Sequence, residues 1–252
     1  MKRVHILPSL LTAGNLFCGI NSILLSVEGK YPEAAWMILL AICFDILDGQ
    51  MARRLKAASN FGLQFDSLSD LVSFGLAPAI LLYCLAFPPL SRLGIMVTFL
   101  YSVCGALRLA RFNLIVPTEE KTAKDFVGFP IPAAAGFIGA GVLFCNEYNL
   151  TIPFKFSSLG MILLAYLMVS RLRYPSLKET HLWGRKPFVY LVTIILGISL
   201  VVLHPPLMLI LIFSAYLSWG PFRSARKNLH RFGWLPRVKS EIEEKSPMKG
   251  AR

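Results

Sequence analysis

The sequence predicts an all-α integral membrane protein with about eight transmembrane helices and with both termini in the cytoplasm. Of its 252 residues, 55% are hydrophobic and 16% are charged, and the mean hydropathy is +0.59. An ordinary soluble domain is far less apolar than this. Several apolar runs also reach the roughly 20 residues that a helix needs to cross a bilayer. The composition therefore argues against a soluble globular fold.

The predicted helices follow one another with short breaks that contain glycine, proline or charged residues. In chain order, they cover residues 8–27, 33–56, 63–87, 90–113, 130–148, 153–170, 188–203 and 205–219. The first is interpreted as a retained helix and not as a signal peptide, because the large residue Phe17 directly precedes Cys18 and no A-x-A-like cleavage site follows. The chain then divides into a transmembrane domain, residues 1–220, and a basic cytoplasmic tail, residues 221–252.

The distribution of positive charge predicts the orientation. With eight helices and a cytoplasmic N-terminus, only Lys30, Arg92 and Lys155 of the 26 lysines and arginines fall on the outer side. Because cytoplasmic connections carry the excess of basic residues, we expect a multi-pass protein of the cell's inner or plasma membrane. The net charge of +12 does not indicate nucleic acid, since the basic residues lie between apolar segments. We expect the basic tail to associate with anionic lipid.

Four of the five aspartates lie between residues 45 and 70, inside otherwise apolar sequence. Each carboxylate costs about 2.5–3.5 kcal/mol or more at the centre of a membrane helix, so the group calls for a cation. Asp45 and Asp48 are three residues apart, and Asp66 and Asp70 are four apart, so each pair shares a helix face. The short connection makes the two helices neighbours, and the pairs can converge. Oxygen ligands without histidine or cysteine favour Mg²⁺ or Mn²⁺.

Small residues beside the aspartates leave space for a ligand. Gly49 and Ala52 each lie four residues after an aspartate, and Gly62 lies near the start of the next helix. Arg53 is close to the membrane edge, where it can bind a phosphate or pyrophosphate group. Two other interpretations stay open, namely a buried ion-pair network between the aspartates and nearby arginines, and close helix packing through the small residues.

Eight of these positions match the signature of a known family. The pattern D-x2-D-G-x2-A-R-x8-G-x3-D-x3-D runs from Asp45 to Asp70 without departure. On this pattern the chain resembles the CDP-alcohol phosphatidyltransferase family. The segments TAGNLFCG, FDSLSDLVSFGLAPA, GALRLARFN and GFPIPAAA are similar to those of its membrane-integral phosphatidylserine synthases. The resemblance covers residues 8–180 and is weaker beyond them.

The resemblance implies an activity, a cofactor and a set of site residues. The activity is transfer of the phosphatidyl group from CDP-diacylglycerol to the hydroxyl of L-serine with release of CMP, and the cofactor is Mg²⁺ or Mn²⁺. Asp45, Asp48 and Asp66 are implied as metal ligands, and Asp70 as the general base and a further metal ligand. The implied CDP-binding residues are Thr12, Asn15, Gly49, Ala52, Arg53 and Gly62. Family members are often homodimers, so we expect a homodimer surrounded by membrane lipids.

The identity of the acceptor depends on residues outside the signature. A serine carboxylate needs a cationic partner, and the candidates are Arg108 and Arg111, with Asn113 nearby. Their alternative role is ordinary anchoring of a helix end by positive charge. Glycerol phosphate, inositol phosphate and choline stay open as acceptors. A choline enzyme would need no carboxylate-binding arginine, whereas a phosphorylated acceptor would want more cationic residues. A divalent-cation transporter is the alternative from a different class, although no second polar cluster continues a path through the later helices.

Overall fold

The structure, a computed structural model, describes residues 6–54, 60–115, 125–170, 172–175 and 204–231. Most of these residues form helices, with short connections and two strands of three residues each, so the all-α prediction is confirmed. The elements are α1 (Ile6–Val27), α2 (Tyr31–Arg54), α3 (Asn60–Asp70), a π-helical segment (Leu71–Leu76), α4 (Ala77–Ala86), α5 (Arg92–Ile115), β1 (Asp125–Val127), α6 (Ile131–Glu147), α7 (Phe154–Val169), β2 (Arg173–Pro175) and α8 (Pro205–Arg231).

Five stretches of the described chain are helical, long and apolar enough to cross a membrane. They are Pro8–Val27, Tyr31–Ala52, Asn60–Ala86, Arg92–Leu114 and Pro205–Phe222. Two further apolar helices, α6 and α7, are shorter. This is the architecture of an integral membrane protein. The predicted total of eight stays a prediction, because the seventh predicted helix, residues 188–203, lies outside the described residues.

The third predicted helix differs most from the sequence-based expectation. It begins at Asn60 instead of residue 63, and it is α-helical only as far as Asp70. The chain then widens into the π-helical segment before it resumes as α4, which has a proline in its first turn. The helix ends where Phe87 becomes extended, directly before Pro88 and Pro89. The prediction of one continuous α-helix is therefore corrected to α3, the π-helical segment and α4.

Helix α1 lies at the centre of the site-bearing half of the molecule. It packs along α2 and also contacts α3, the π-helical segment and α4. The turn between α1 and α2 contains Gly29 with a φ of +79°, a backbone conformation that glycine adopts without strain. On the other side, α5 contacts α7 and the π-helical segment, and α6 contacts α2 and α8. Phe74, Tyr101 and Phe129 are among the fully buried side chains of the resulting core.

The two strands hold the approach to α6 against the end of α7. Strand β1 pairs antiparallel with β2, with Phe126 opposite Tyr174. The pairing continues through Gly128, whose N–H donates to the carbonyl oxygen of Leu172 at 2.8 Å. The hydrophilic connection predicted at residues 114–129 therefore ends in a segment that is hydrogen-bonded to the chain after α7. This segment leads directly into Pro130, which precedes α6.

Helix α8 extends beyond the boundary predicted between the membrane domain and the tail. It continues through Pro221 to Arg231, whereas its apolar membrane-length stretch ends at Phe222. The helix therefore carries the chain out of the apolar region and into the first part of the basic tail. The division of the chain at residue 220 stays a prediction.

Candidate active site

Three of the four predicted aspartates converge in the structure. Helix α2 contributes Asp45 and Asp48, and α3 contributes Asp66. One carboxylate oxygen from each lies within 4.8 Å of the corresponding oxygens of the other two. Asp48 is buried, with 5% of its surface exposed, and the other two are half-buried. We call these three residues the acidic triad.

The acidic triad fits a hard divalent cation. Three carboxylates this close repel one another at low dielectric unless a positive charge lies between them. The Oδ1 atom of Asp66 is buried and has no hydrogen-bond partner among the described residues. Carboxylate oxygens without nitrogen or sulfur ligands favour ions such as Mg²⁺ or Mn²⁺. The triad could therefore bind a metal ion, as the spacing of the aspartates predicts.

Asp70 lies beside the acidic triad and has a hydrogen bond to α1. The Asn15 side-chain amide donates to Oδ1 of Asp70 at 3.0 Å, and the two residues are 0% and 8% exposed. Asp70 is also close enough to Asp45 and Asp66 for electrostatic repulsion between the carboxylates. Its position is therefore compatible with the predicted role as a base beside a metal site.

Helix α1 makes further hydrogen bonds to the helices that carry the aspartates. The hydroxyl of Thr12 lies 3.1 Å from Oδ2 of Asp48. The hydroxyls of Ser69 and Ser73 donate to the carbonyl oxygens of Thr12 and Asn15, at 3.1 and 2.9 Å. Thr12 and Asn15, which the family resemblance implies as nucleotide contacts, are thus hydrogen-bonding partners of carboxylates of the site. Their contact with a nucleotide stays a prediction.

A cavity of about 230 Å³ opens beside the aspartates. Asp45, Asp66 and Asp70 contribute to its wall, and α5 contributes Arg108 and Asn113. The other lining residues are Leu63, Ser67, Leu109, Phe112, Pro130, Ile131 and Pro132. The cavity therefore has carboxylates from α2 and α3 together with a guanidinium from α5.

Arg108 brings an available cation to this cavity. Its Nε atom is buried and has no hydrogen-bond partner among the described residues. The guanidinium is close enough to Asp70 for electrostatic attraction. Arg111, by contrast, is exposed and is not part of the cavity wall, so its predicted role in acceptor binding gains no support from its position.

Ser67 is a site residue that the sequence analysis did not single out. The Asn113 side-chain amide donates to the Ser67 hydroxyl at 2.9 Å, and this bond joins α5 to α3 at the cavity. The signal was present, since Ser67, Ser69 and Ser73 are polar residues in an apolar helix and all three bond to a neighbouring helix. Polar side chains in membrane helices commonly mark such interfaces.

Comparison with known proteins identifies the family. Residues 5–171 match the family model described as CDP-alcohol phosphatidyltransferase. The chain belongs to the CDP-alcohol phosphatidyltransferase family. It is therefore a transferase, and the prediction of an enzyme is confirmed. This family membership sets aside the alternative of a divalent-cation transporter.

Relatives in this family share much of the chain. It is 36% identical over 225 residues to the CDP-diacylglycerol–serine O-phosphatidyltransferase of Helicobacter pylori strain J99, covering 88% of this chain and 92% of the relative. It is 35% identical over 176 residues to the protein of the same name from Bacillus subtilis strain 168, covering 70% and 93%. It is 41% identical over 171 residues to the archaetidylserine synthase of Methanothermobacter thermautotrophicus strain Delta H, covering 67% and 69%.

The remaining signature residues of the family lie at the ends of α2 and α3 that meet at the acidic triad. Gly49, Ala52 and Gly62 are all partly buried. Arg53 belongs to the last turn of α2, and its side chain lies outside the described part of the structure. Their predicted contacts with CDP stay predictions.

Proposed function

We propose that the chain is a CDP-diacylglycerol–serine O-phosphatidyltransferase. The serine hydroxyl would attack the phosphorus that carries diacylglycerol, and CMP would leave. One observation carries this proposal, namely that the cavity places the carboxylate of Asp70 and the guanidinium of Arg108 in one space beside the acidic triad. The names of the three relatives support the acceptor, because they differ in the lipid but agree on serine.

In this proposal Asp45, Asp48 and Asp66 hold Mg²⁺ or Mn²⁺. The bound ion would neutralise the negative charge that develops on the leaving CMP. The unpartnered Oδ1 of Asp66 supports this role, because a buried carboxylate oxygen without a donor is otherwise costly. Gly49, Ala52, Arg53 and Gly62 are proposed to line the space for the CDP group next to the ion.

Asp70 is proposed as the general base. A serine hydroxyl is a weak nucleophile, and a carboxylate within hydrogen-bond reach can take its proton during the attack. The amide of Asn15 occupies Oδ1 of Asp70, so Oδ2 is the oxygen that would accept the proton. Asn15 therefore acts as a support for the base in this mechanism.

The charges of the cavity favour serine over the other acceptors of the family. Arg108 is the one lysine or arginine in the cavity wall among the described residues, and its free Nε suits a single carboxylate. A phosphorylated acceptor carries more negative charge and would face three aspartates with one cation. Choline has no carboxylate for Arg108 to bind. Asn113 is proposed to contact the acceptor beside Arg108. A role of Arg111 in acceptor binding stays a prediction.

The site is proposed to face the cytoplasm of the cell's inner or plasma membrane. The aspartates lie next to the connection between α2 and α3, which the charge distribution places on the inner side. CDP-diacylglycerol would then keep its acyl chains in the lipid while its nucleotide enters from the water. A homodimer, as the family resemblance implies, belongs to the same proposal.

The proposal is tested with purified protein, CDP-diacylglycerol and radiolabelled acceptors. We expect serine to enter lipid, the metal chelator EDTA to abolish this, and Mg²⁺ or Mn²⁺ to restore it. Asp70→Asn is expected to abolish turnover while leaving the binding of CDP-diacylglycerol largely intact. Glu33→Gln, an exposed carboxylate at the opposite end of α2, is the matched control and should retain full activity. Labelling of glycerol phosphate but not serine would overturn the choice of acceptor, and full activity of Asp70→Asn would remove it as the base.

A further inference from the structure

The helices on either side of the cavity are also joined by hydrogen bonds away from it. The Tyr101 hydroxyl donates to the carbonyl oxygen of Phe74 at 3.3 Å, and the Ser102 hydroxyl lies 3.2 Å from the carbonyl oxygen of Gly75. Both acceptors belong to the π-helical segment that directly follows Asp70. Tyr101 is 0% exposed and is one of the largest fully buried side chains. The contact is thus between a core side chain of α5 and the backbone beside the proposed base.

The order of residues along the two helices puts the cavity between two cross-connections. Along α3 and the π-helical segment, Asp70 lies between Ser67 and Phe74. Along α5, Arg108 lies between Tyr101 and Asn113. Because Ser67 bonds to Asn113 and Phe74 bonds to Tyr101, one bond lies on each side of the pair formed by Asp70 and the arginine. Two such bonds fix how far one helix can slide along the other.

Helix α5 lies against the π-helical segment at Gly105. A Cβ atom on Gly105 would lie 2.6 Å from Cδ1 of Ile131 and 3.9 Å from the Cα of Gly75. The backbone of α5 therefore runs close to the segment that accepts the bonds. π-Helical turns are uncommon and occur most often at functional sites. Side-chain hydrogen bonds between membrane helices contribute to helix association, and these bonds join α5 to the backbone of the π-helical segment.

We infer that Tyr101 is a positioning residue that sets the level of Arg108 on α5 relative to Asp70 on α3. Arg108 follows Tyr101 by seven residues, two helical turns, so both lie on the same face of α5. A slide of α5 would therefore move the guanidinium along the cavity and away from the base. The inference rests on the proposed function, in which Arg108 binds the acceptor and Asp70 takes its proton.

The Tyr101 hydroxyl allows a sharper test than the Ser102 hydroxyl. The Ser102 hydroxyl also lies 3.0 Å from the carbonyl oxygen of Thr98 in its own helix, and its single proton can serve only one acceptor at a time. Tyr101→Phe removes one hydroxyl and keeps the ring. Tyr31→Phe is the matched control, because the Tyr31 hydroxyl also donates to a backbone carbonyl, that of Cys84, at 3.1 Å, and neither residue is part of the cavity wall.

The experiment measures steady-state kinetics for both substrates and thermal unfolding of the full-length variants. We expect Tyr101→Phe to lower kcat/KM for serine about tenfold, since small displacements of reacting groups have effects of this size or larger. Its KM for CDP-diacylglycerol should stay within about twofold of the unmodified enzyme, because the residues of the acidic triad belong to α2 and α3 and not to α5. Tyr31→Phe should leave both substrates unaffected even if it unfolds at a lower temperature.

Two results would overturn the inference. The first is Tyr101→Phe with the same serine kinetics as Tyr31→Phe. The second is an equal loss for both substrates, which would indicate general loosening of the bundle. If Tyr101→Phe does not fold, Ser102→Ala gives the test, with a smaller loss confined to serine expected and unchanged kinetics overturning the inference. An unmodified enzyme without serine activity would overturn the proposed function instead, and the same comparison with the acceptor that it uses would still test Tyr101.

Discussion

The proposed base is oriented by one amide group. Among the described residues, Asn15 donates the side-chain hydrogen bond that Asp70 accepts, while the Oδ1 atom of Asn15 itself has no partner. A buried carboxylate with one fixed oxygen can present the other in a constant direction. A hydrogen bond to a charged group is worth about 1.5–3 kcal/mol, which is enough to decide that direction.

Replacing this amide should reduce turnover more than substrate binding. We expect Asn15→Leu, which keeps a similar size but donates no hydrogen bond, to lower kcat at least about tenfold. The KM for serine should change less, because Arg108 is unaffected. Steady-state kinetics checks this. Asn21→Leu is the control on the same helix, since the side-chain amide of Asn21 donates to the weak acceptor Sδ of Met37, at 3.7 Å, and not to a carboxylate of the site. Equal kcat values for the two variants would contradict an orienting role.

At the scale of single residues, the sequence was sufficient for one wall of the site. Helical spacing puts Asp45 and Asp48 on one face of α2, and the short connection brings Asp66 of α3 to them. No periodicity links Arg108 to the aspartates, since a turn and two further helical segments separate them. Its candidacy came from the chemistry of the acceptor, and its place opposite Asp70 depends on packing that only the folded chain defines.

Among the elements, α1 lies outside the aspartate signature but contacts all of its helices. It packs on α2, α3 and the π-helical segment, and it supplies both Thr12 and Asn15. It approaches the π-helical segment closely at Gly19, where an added Cβ would lie 2.7 Å from the Cα of Ser73. Because that neighbour is backbone, the contact can be relieved only by moving one helix away from the other. The position of α1 therefore depends on a residue without a side chain.

Adding one methyl group at this approach should damage both stability and activity. We expect Gly19→Ala to lower the free energy of unfolding by about 1–3 kcal/mol, the usual effect of overpacking. Activity should fall as well, because a displaced α1 carries Asn15 away from Asp70. Thermal unfolding and the serine assay measure the two effects. Gly160→Ala is the control, since an added Cβ there meets no atom within 4 Å. A Gly19→Ala enzyme as stable and active as Gly160→Ala would show that α1 is not held at this point.

The limits of the helices followed from the sequence more closely than their internal geometry did. Glycine and proline end the helices near the predicted residues, as at Gly29 and Pro88. The π-helical segment, LVSFGL, is as apolar as an ordinary membrane α-helix, so hydropathy does not distinguish the two. The strands are three residues each and exist through their pairing with each other, a contact between distant parts of the chain.

In the whole molecule, the site lies at one end of the helix bundle, so the orientation of the bundle decides from which side of the membrane water-soluble substrates reach the site. The aspartates lie near the connection between α2 and α3, whereas the turn at Glu28 and the connection after α6, which contains Leu150, lie at the opposite end of the membrane-length helices. Leu114, at the end of α5 beyond Arg108, is 79% exposed at the same end as the site. If basic residues set the orientation, the site end faces the cytoplasm.

Labelling from outside the cell tests this orientation. With a membrane-impermeant maleimide and the unmodified protein as the blank, we expect Glu28→Cys and Leu150→Cys to react on intact cells. Leu114→Cys should react only after the membrane is permeabilised, because charge selects the side on which each helix end remains. All three positions are exposed, so accessibility within the protein does not limit the reaction. The reverse pattern would place the site on the outer side. It would contradict the cytoplasmic supply of CDP-diacylglycerol and serine while leaving the roles of Asp70 and Arg108 unchanged.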